Sequence, residues 1–296
     1  MIKTGVIGLG DMGSGLAKNL IKNNFITYGY DLSEERLKKF SDLGGKPCSS
    51  IKEVAEQCDA VFIMVLNGDQ AKQVILGDHG LALNLKNGSV IILSATIKPS
   101  EAIEINNSLT NNLISIIDSP VSGGFPKAQA GTLTLMTSGR KEDIEKFKNV
   151  LEAVATDIHI VGNIVGDGQT VKACLQSLIG SIFSATFEAS VLAAKAGIKG
   201  EVLFNVFSTS NAACGVVSTA LENIIDRKFF GTGSHISTMH KDLTISLDLA
   251  RELGVPLHTA STAMQLFHAG KTKYPDGDNW IVTKVLEEIV GAELHR

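Results

Sequence analysis

The chain has 296 residues, of which 44% are hydrophobic and 20% charged, and its formal net charge is −4 at pH 7. This composition predicts one large or two ordinary folded domains and excludes disorder of the whole chain. So small a net charge gives no general basis for binding nucleic acid or an anionic membrane. The cysteines form no close pair that would indicate a zinc site or a disulfide framework, and no metal is predicted; they are Cys48, Cys58, Cys174 and Cys214.

A glycine-rich stretch follows the first strand-like segment. In "TGVIGLGDMGSGLAKNL", Thr4 to Leu20, the residues before the glycines are typical of a buried strand, and those after them recur at helical spacing. A strand, a tight glycine turn and a helix N-terminus together bind the pyrophosphate of a dinucleotide. A tight turn in any α/β protein is the alternative interpretation. The predicted cofactor-binding residues here are Gly8, Leu9, Gly10, Asp11, Met12 and Gly13.

The next strand-like segment, "ITYGYD", ends at Asp31, about 20 residues beyond the glycines, where a dinucleotide-binding fold places the acid that binds the adenosine ribose. An aspartate at this place repels a 2′-phosphate. The predicted cofactor is therefore NAD, with NADP less favoured. Asp31 also precedes a predicted helix whose N-cap is Ser33, and the two roles are compatible.

Strand-like and helical segments alternate through the first half of the chain. This pattern predicts βαβ units on a mostly parallel sheet covered on both faces, which is a Rossmann-type α/β domain. The predicted strands are the segments 4–9, 26–31, 60–66, 90–95, 113–119, 132–139 and 157–162.

The second half is predicted to be all-helical and built on a long inter-domain helix over residues 168–197. A membrane span is the alternative for this helix, but the uncharged stretch between Lys172 and Glu188 is shorter than the roughly 18 residues that a span needs. We predict a Rossmann NAD-binding domain over 1–163 and a helical substrate and dimerisation domain over 164–296. Further helices are expected around 199–209, 212–226, 240–253, 257–269 and 280–290, with stops at Gly197, Gly254 and Gly270.

Lys172 is the best candidate for the group that handles a hydroxyl proton during hydride transfer. It lies one turn into the predicted long helix, on an otherwise apolar stretch. A lysine in an apolar cleft can have its pKa lowered and can act as a general base or acid. The alternative is a lysine that extends from the first helical turn into solvent.

A loop after a predicted strand supplies a candidate carboxylate site. In "DSPVSGGFPKAQAGTLT", the residues Ser122, Gly123 and Gly124 follow a strand, and α/β sheets bind ligands at that end. Successive backbone N–H groups together with a serine hydroxyl suit a carboxylate. An ordinary surface loop is an equal alternative.

Further cofactor contacts are predicted after other strands and on a helix. Thr96, in "SATIKP", either contacts the nicotinamide end of the cofactor or caps the next helix. Lys241 stands beside Asp242 at a predicted helix start, which suggests a ligand or an ion pair. Val65 and Leu66, at the end of the strand-like segment from Ala60, complete the predicted cofactor set.

Five stretches in order, "GLGDMGSGLAKNL", "SATIKP", "DSPVSGG", "GDGQTVKACLQ" and "HKDL", resemble the β-hydroxyacid dehydrogenase family, which includes 3-hydroxyisobutyrate dehydrogenase. The resemblance covers nearly the whole chain. It implies that Lys172 is the catalytic lysine, that the Ser122–Gly124 loop binds the substrate carboxylate, and that Thr96 and Lys241 line the cofactor site. It also implies a homo-oligomer, either a dimer or a tetramer.

The sequences "LSATIKP" and "PVSGGFPKAQAGTLT", with Lys127 where many members have glycine, look most like those of the L-threonate dehydrogenase branch. Many members carry Asn three or four residues after the lysine, whereas this chain has Leu175 and Gln176, of which Gln176 is the predicted substrate-binding residue. The branch tends to place His where Leu175 stands. A four-carbon sugar acid such as L-threonate is therefore expected, with 3-hydroxyisobutyrate or a tartronate or succinic semialdehyde as alternatives.

Two other functional classes remain open. A dinucleotide-binding scaffold without catalysis is disfavoured by Lys172, and a 6-phosphogluconate-type decarboxylating dehydrogenase would need basic residues that we do not identify. The expected partner is a small hydroxy acid, with no nucleic acid and no membrane. The chain leads directly into a strand with no secretion signal before it, so a cytoplasmic location is expected.

Overall fold

The computed structural model describes residues 2–109 and 113–296. The chain divides into two compact units, Met1–Lys172 and Ala173–Arg296. The division falls inside one continuous helix, Asp167–Lys195. The assignment of NAD binding to residues 1–163, and of substrate binding and dimerisation to residues 164–296, stays a prediction.

The first unit is built on a mostly parallel sheet, as predicted. In the described part of the chain the strands lie in the order β3-β2-β1-β4-β5-β6-β8-β7, and β9 pairs with β8. The pairs from β3 to β6 are parallel, and β8 runs antiparallel to β6 and β7. The strands are β1 (Lys3–Ile7), β2 (Ile26–Tyr30), β3 (Lys46–Pro47), β4 (Ala60–Ile63), β5 (Val90–Leu93), β6 (Ser115–Asp118), β7 (Val121–Ser122), β8 (Leu133–Ser138) and β9 (Ala155–Gly162).

Helices connect these strands and cover the sheet. They are α1 (Asp11–Lys22), α2 (Glu34–Asp42), α3 (Ile51–Gln57), α4 (Gly68–Leu76), α5 (Leu81–Asn84), α6 (Pro99–Asn107), α7 (Gly124–Ala130), α8 (Lys141–Lys146) and α9 (Lys148–Glu152). Side chains that alternate along the central strands enter two separate cores. Phe62 and Ile92 pack into one core, whereas their neighbours Val61 and Ile91 pack into the other. This two-sided burial explains why the strands are consecutive apolar runs.

All the predicted strands are present, although β4 ends at Ile63 rather than at Leu66. Two short strands, β3 and β7, were not predicted, because two residues leave no periodic signal in a sequence. The strand order places β1 between β2 and β4. The chain runs outward from β1 to β2 and β3 and then returns to β4 on the other side of β1, so the strand order reverses there. Open α/β sheets bind their ligands in the crevice at the carboxyl ends of strands at such a reversal.

The second unit is helical, as predicted. It holds most of α10 (Asp167–Lys195), followed by α11 (Gly200–Thr209), α12 (Gly215–Ile225), α13 (Ile236–Leu253), α14 (His258–Lys273), a 3₁₀ turn (Asn279–Ile281) and α15 (Val282–Val290). Its core contains an aromatic cluster in which the ring centroids of Phe183 and Phe187 are 5.8 Å apart, and each lies within 6.4 Å of Phe267.

Among the helices of the described residues, α10 is long and apolar enough to cross a membrane. Its central aromatic residues nevertheless belong to the core of the helical unit. It also buries the polar side chains of Gln169, Lys172 and Gln176. These features are typical of a core helix in a folded domain.

Two details of the helical prediction were wrong. Gly270 does not end a helix, since α14 continues to Lys273. A Cβ atom at Gly270 would lie 2.8 Å from a methyl group of Val282 and 2.9 Å from one of Ile236, so the glycine permits close helix packing. Lys241 is not at a helix start, because α13 begins five residues earlier, at Ile236. The stop at Gly254 is confirmed, with a φ of 69° in the left-handed region.

Candidate active site

The glycine-rich turn joins β1 to the N-terminus of α1. Gly8 has a φ of +88°, and a Cβ atom there would lie 2.2 Å from the carbonyl oxygen of Met64. A Cβ atom at Gly13 would lie 1.8 Å from the carbonyl oxygen of Gly8. Side chains are therefore excluded at both positions, where glycine lets the strand, the turn and the helix pack closely.

The N-terminus of α1 fits a dinucleotide phosphate. Its N-cap is Gly10, and no side chain caps it. Its first N–H groups and the positive end of the helix dipole are thus presented at the carboxyl edge of β1, which suits an anion. The other members of the predicted set lie on this turn, with Leu9 buried, Met12 half-buried and Asp11 exposed as the first helical residue.

Asp31 follows β2 and lies against the same turn. Its Oδ2 accepts a hydrogen bond of 2.7 Å from the backbone N–H of Leu9, and its Oδ1 accepts one of 2.9 Å from the N–H of Ser33. Ser33 caps α2, as predicted. The carboxylate is nearly buried and fixed beside the glycines, where it fits the ribose of a bound dinucleotide.

Arg36 was not identified from the sequence. Its Nη1 lies 3.4 Å from Oδ2 of Asp31, and its guanidinium lies 3.8 Å from the place where a Cβ atom of Gly10 would stand. An arginine here offsets the charge of Asp31 and weakens its repulsion of a 2′-phosphate. The available signal was its position five residues after Asp31, on the first turn of the next helix.

The loops after β4 and β5 carry the other predicted cofactor residues of this unit. Val65 is half-buried and Leu66 is 71% exposed, immediately beyond β4. Thr96 is half-buried in the loop between β5 and α6. It does not cap α6, whose N-cap is Lys98, so the alternative role proposed for Thr96 does not apply.

The predicted carboxylate loop lies between β7 and α7. Ser122 ends β7, and Gly123 and Gly124 are exposed residues with φ values of +131° and +64°. Asn19 ties this region to α1, since its Nδ2 donates to the carbonyl oxygens of Gly15, at 2.8 Å, and Ala128, at 2.9 Å. The helix that follows the loop, α7, is therefore held against α1, and the loop residues Gly123 and Gly124 are exposed.

Lys172 is buried on the second turn of α10, and the solvent-exposed alternative is wrong for this residue. Lys172 is only 6% exposed, and its Nζ donates a hydrogen bond of 2.8 Å to the carbonyl oxygen of Val121. Val121 precedes Ser122 in β7. The structure thus brings the predicted proton-transfer group next to the predicted carboxylate loop, within one compact unit.

A buried carboxylate that the sequence did not reveal is bonded to the start of α10. Asp118, at the end of β6, is fully buried and accepts hydrogen bonds from the backbone N–H of Gly166 at 2.8 Å and from Nε2 of Gln169 at 2.8 Å. Burial raises the pKa of Asp118 from 3.8 to about 6, although these donors act in the opposite direction. Its pairing with Gln169 depends on tertiary contact and leaves no local signal.

The predicted residues of the second unit, Gln176 and Lys241, both contact one carboxylate, that of Asp242. Gln176 is buried one turn beyond Lys172 on α10, and its Nε2 donates a hydrogen bond of 2.6 Å to Oδ2 of Asp242. Nζ of Lys241 lies 2.9 Å from Oδ1 of the same carboxylate. The ion pair suggested for Lys241 is therefore present, and Asp242 is a buried partner rather than a helix-end charge. Gln176 contacts Asp242 through Nε2, so its Oε1 is the atom that could accept a hydrogen bond from another group.

His240 pairs with His268, with 3.2 Å between Nε2 of the first and Nδ1 of the second. Burial, and then the nearby Lys271, lower the pKa of His240. Among the residues that the structure describes, no group of three or more His, Cys, Asp or Glu side chains is placed to hold a metal ion.

Known families match both parts of the chain. Residues 3–174 match the NAD-binding domain of 6-phosphogluconate dehydrogenase, and residues 166–286 match the NAD-binding domain of NADP-dependent 3-hydroxyisobutyrate dehydrogenase. L-Threonate dehydrogenase from Haemophilus influenzae is 35% identical over 286 residues, which cover 96% of this chain and 95% of that protein. 2-(Hydroxymethyl)glutarate dehydrogenase from Eubacterium barkeri is 32% identical over 294 residues, covering 99% of this chain and 97% of that one.

Solved structures agree with this relationship. The crystal structure of a 3-hydroxyisobutyrate dehydrogenase from Salmonella typhimurium has a TM-score of 0.89 and 32% sequence identity, and the match covers 96% of this chain and all of that one. The relatives are dehydrogenases that act on hydroxy acids, and the cofactor turn described above fits the NAD(P) that such enzymes use. The chain therefore belongs to the 3-hydroxyisobutyrate dehydrogenase family, the β-hydroxyacid dehydrogenases, and is an NAD(P)-dependent enzyme acting on the CH–OH group of a hydroxy acid.

Proposed function

We propose that this enzyme oxidises a four-carbon sugar acid such as L-threonate with NAD, and that Lys172 is the general acid and base. The observation that carries the mechanism is the buried amine of Lys172, 2.8 Å from the carbonyl oxygen of Val121 and next to Ser122. The substrate class is supported by the L-threonate dehydrogenases, which are 34–35% identical over most of the chain.

The cofactor is proposed to lie along the glycine turn. Gly8 to Gly13 would hold the pyrophosphate, Asp31 the adenosine ribose, and Val65, Leu66, Thr96 and Lys241 the remainder. Asp31 favours NAD over NADP through its charge, an effect that Arg36 reduces. When bound, the nicotinamide supplies the hydride acceptor.

The substrate carboxylate is proposed to bind the Ser122–Gly124 loop, through the serine hydroxyl and the exposed backbone N–H groups. The hydrogen bond from Nζ to the carbonyl oxygen of Val121 is proposed to orient the Lys172 amine for the substrate hydroxyl. The neutral amine takes the hydroxyl proton as the carbon loses its hydride, and the ammonium returns it in the reverse direction. Oε1 of Gln176 is proposed to accept a hydrogen bond from a second substrate hydroxyl.

A second candidate substrate is 3-hydroxyisobutyrate. It is favoured by Leu175, which offers no hydrogen bond where the threonate branch tends to have His, and by the structural match to a 3-hydroxyisobutyrate dehydrogenase. The helical unit is proposed to serve substrate binding and dimerisation. The homo-oligomer, the cytoplasmic location and the absence of metal, membrane and nucleic-acid partners stay predictions.

A panel of hydroxy acids of three to six carbons, assayed with NAD and NADP for formation of reduced cofactor, tests the proposal. We expect L-threonate to give the highest kcat/KM, with NAD as the better cofactor. A clear preference for 3-hydroxyisobutyrate would change the proposed substrate but not the proposed chemistry. No turnover with any member of the panel would contradict the proposed activity.

A further inference from the structure

Gln169 lies in the first turn of α10, and both ends of its fully buried amide are bonded. Nε2 donates to the carbonyl oxygen of Ala95 at 3.1 Å and to Oδ1 of Asp118 at 2.8 Å. Oε1 accepts from the backbone N–H of Ile97 at 3.1 Å. The two backbone groups that Gln169 binds flank Thr96, so one side chain fixes the backbone on both sides of a predicted cofactor contact.

The other oxygen of Asp118 holds the start of α10. Oδ2 accepts from the backbone N–H groups of Gly166, at 2.8 Å, and Gln169, at 3.2 Å, which are groups that lack a partner within a helix. Oδ2 also accepts from Oγ of Ser138 at 3.3 Å, and that hydroxyl accepts from the N–H of Gly168 at 3.0 Å. The first turn of α10 is therefore fixed to the ends of β6 and β8.

The position of Lys172 follows from this anchoring. Lys172 stands three residues after Gln169, on nearly the same face of the helix. Its Nζ reaches the carbonyl oxygen of Val121, which lies three residues after Asp118. A shift in the first turn of α10 would carry the amine away from Val121 and from the neighbouring Ser122.

We propose that Gln169 is a positioning residue, whose amide couples the Thr96 loop and the Asp118 carboxylate to the turn of α10 that carries Lys172. The inference rests on the proposed role of Lys172. A side-chain amide is required because the site needs one acceptor and a donor of two hydrogens at fixed places. Glutamate would set oxygens against the carbonyl of Ala95 and the Asp118 carboxylate, and methionine would remove the hydrogen bonds to the Ala95 carbonyl, the Ile97 N–H and Oδ1 of Asp118.

The test compares Gln169→Met and Gln169→Glu with a matched control, Thr27→Val. The control removes a buried hydrogen bond of 3.0 Å between the hydroxyls of Thr4 and Thr27, in β1 and β2, away from Lys172. Lys172→Ala is measured in parallel. The readouts are kcat and KM, the Kd for NADH by fluorescence titration, the thermal midpoint, and the rate at which acetic anhydride labels Nζ of Lys172 in the protein without cofactor.

We expect both Gln169 variants to lose about tenfold or more in kcat while the Kd for NADH changes by less than about threefold. Labelling of Lys172 should become at least about threefold faster, because an amine released from Val121 is a more accessible nucleophile for the anhydride. Thr27→Val should lower the thermal midpoint without either effect. The inference is overturned if Gln169 variants of equal thermal midpoint match Thr27→Val in kcat, or if their Lys172 labelling is unchanged. Full activity in Lys172→Ala would instead overturn the proposed function.

Discussion

Asp31 and Arg36 place opposite charges at the carboxyl end of β2, where the adenosine ribose is proposed to bind. The carboxylate is held by two backbone N–H groups and is nearly buried, whereas the Arg36 side chain is 53% exposed. The aspartate is thus a fixed, nearly buried charge, and the arginine is an exposed one that is screened by solvent. The fixed charge should decide cofactor preference, and the arginine should moderate it.

We therefore expect kcat/KM to favour NAD over NADP by at least about tenfold, which is about 1.4 kcal/mol. Arg36→Ala should widen that ratio by about threefold, the size of an exposed charge contact, by reducing the use of NADP. Lys38→Ala, which removes an exposed charge on the same helix, is the control and should leave the ratio unchanged. Steady-state kinetics with both cofactors measure these ratios, and equal or better use of NADP by the unaltered enzyme contradicts the role of Asp31.

Leu175 is one of the two residues after Lys172 that depart from the pattern expected from the family resemblance, and we propose that it faces the substrate. A hydroxyl that faced Leu175 would lose water without gaining a partner, at a cost of about 1–3 kcal/mol. If L-threonate is not the preferred substrate of the unaltered enzyme, Leu175→His should therefore raise kcat/KM for L-threonate relative to 3-hydroxyisobutyrate, by about threefold or more. Leu178→His, an exposed site further along α10, should not change this ratio. If the unaltered enzyme already prefers L-threonate by a wide margin, Leu175 is not the discriminating contact.

At the scale of elements, the close packing of β1 against α1 depends on having glycine at position 13. A methyl group at this position meets the carbonyl oxygen of Gly8, so strand and helix must separate. At Gly215, the first residue of α12, nothing lies within 4 Å of an added Cβ. The two glycines provide a matched pair, since the same substitution meets a backbone atom at one and open space at the other.

Gly13→Ala should destabilise the enzyme by about 1–3 kcal/mol or more and weaken NADH binding at least tenfold, because the cofactor turn is displaced. Gly215→Ala should be neutral or stabilise by up to about 1 kcal/mol, since alanine restricts the unfolded chain. Calorimetry and NADH fluorescence titration check both variants. Unchanged NADH binding by a folded Gly13→Ala variant would show that the turn does not hold the cofactor.

Elements with a long periodic pattern could be predicted from the sequence, and contacts made by single side chains could not. The buried strands and the helices after residue 167 produce their own apolar patterns. Gly270 was misread as a helix stop because its requirement, close packing against Val282 and Ile236, exists only in the folded helical unit. Lys172 could be proposed from a family motif, but its contact with Val121 and the pairing of Asp118 with Gln169 depend on residues about 50 positions apart.

At the scale of the whole molecule, each unit has its own hydrophobic core, and the described part of the first unit also buries the Asp118 carboxylate. The folded pKa of Asp118 is about 6, above its ordinary value of 3.8. A raised folded pKa means that the folded state holds the proton more tightly than the unfolded state does. The stabilising contribution of Asp118 is therefore complete below about pH 4 and is lost as the pH rises through about 6.

Hydrogen exchange of the amide groups in β6 and β8 measures this effect in the unit that holds Asp118. Between about pH 4 and about pH 7, the unfolding free energy of the unaltered enzyme should fall relative to that of Asp118→Asn by up to about 3 kcal/mol. The variant serves as the reference because all other titrating groups are common to both proteins. A free-energy difference that does not change with pH would show that Asp118 does not titrate in this range.

The central claim is that Lys172 transfers the proton while the glycine turn holds the cofactor, and it is tested most directly by comparing kcat with cofactor affinity in Lys172→Ala. A group that acts in the transition state contributes to kcat and not to cofactor binding. We predict that Lys172→Ala loses about 100-fold or more in kcat with the best substrate of the panel, while its Kd for NADH stays within about threefold. A variant that keeps a near-normal kcat, or that loses NADH binding together with activity, contradicts the account.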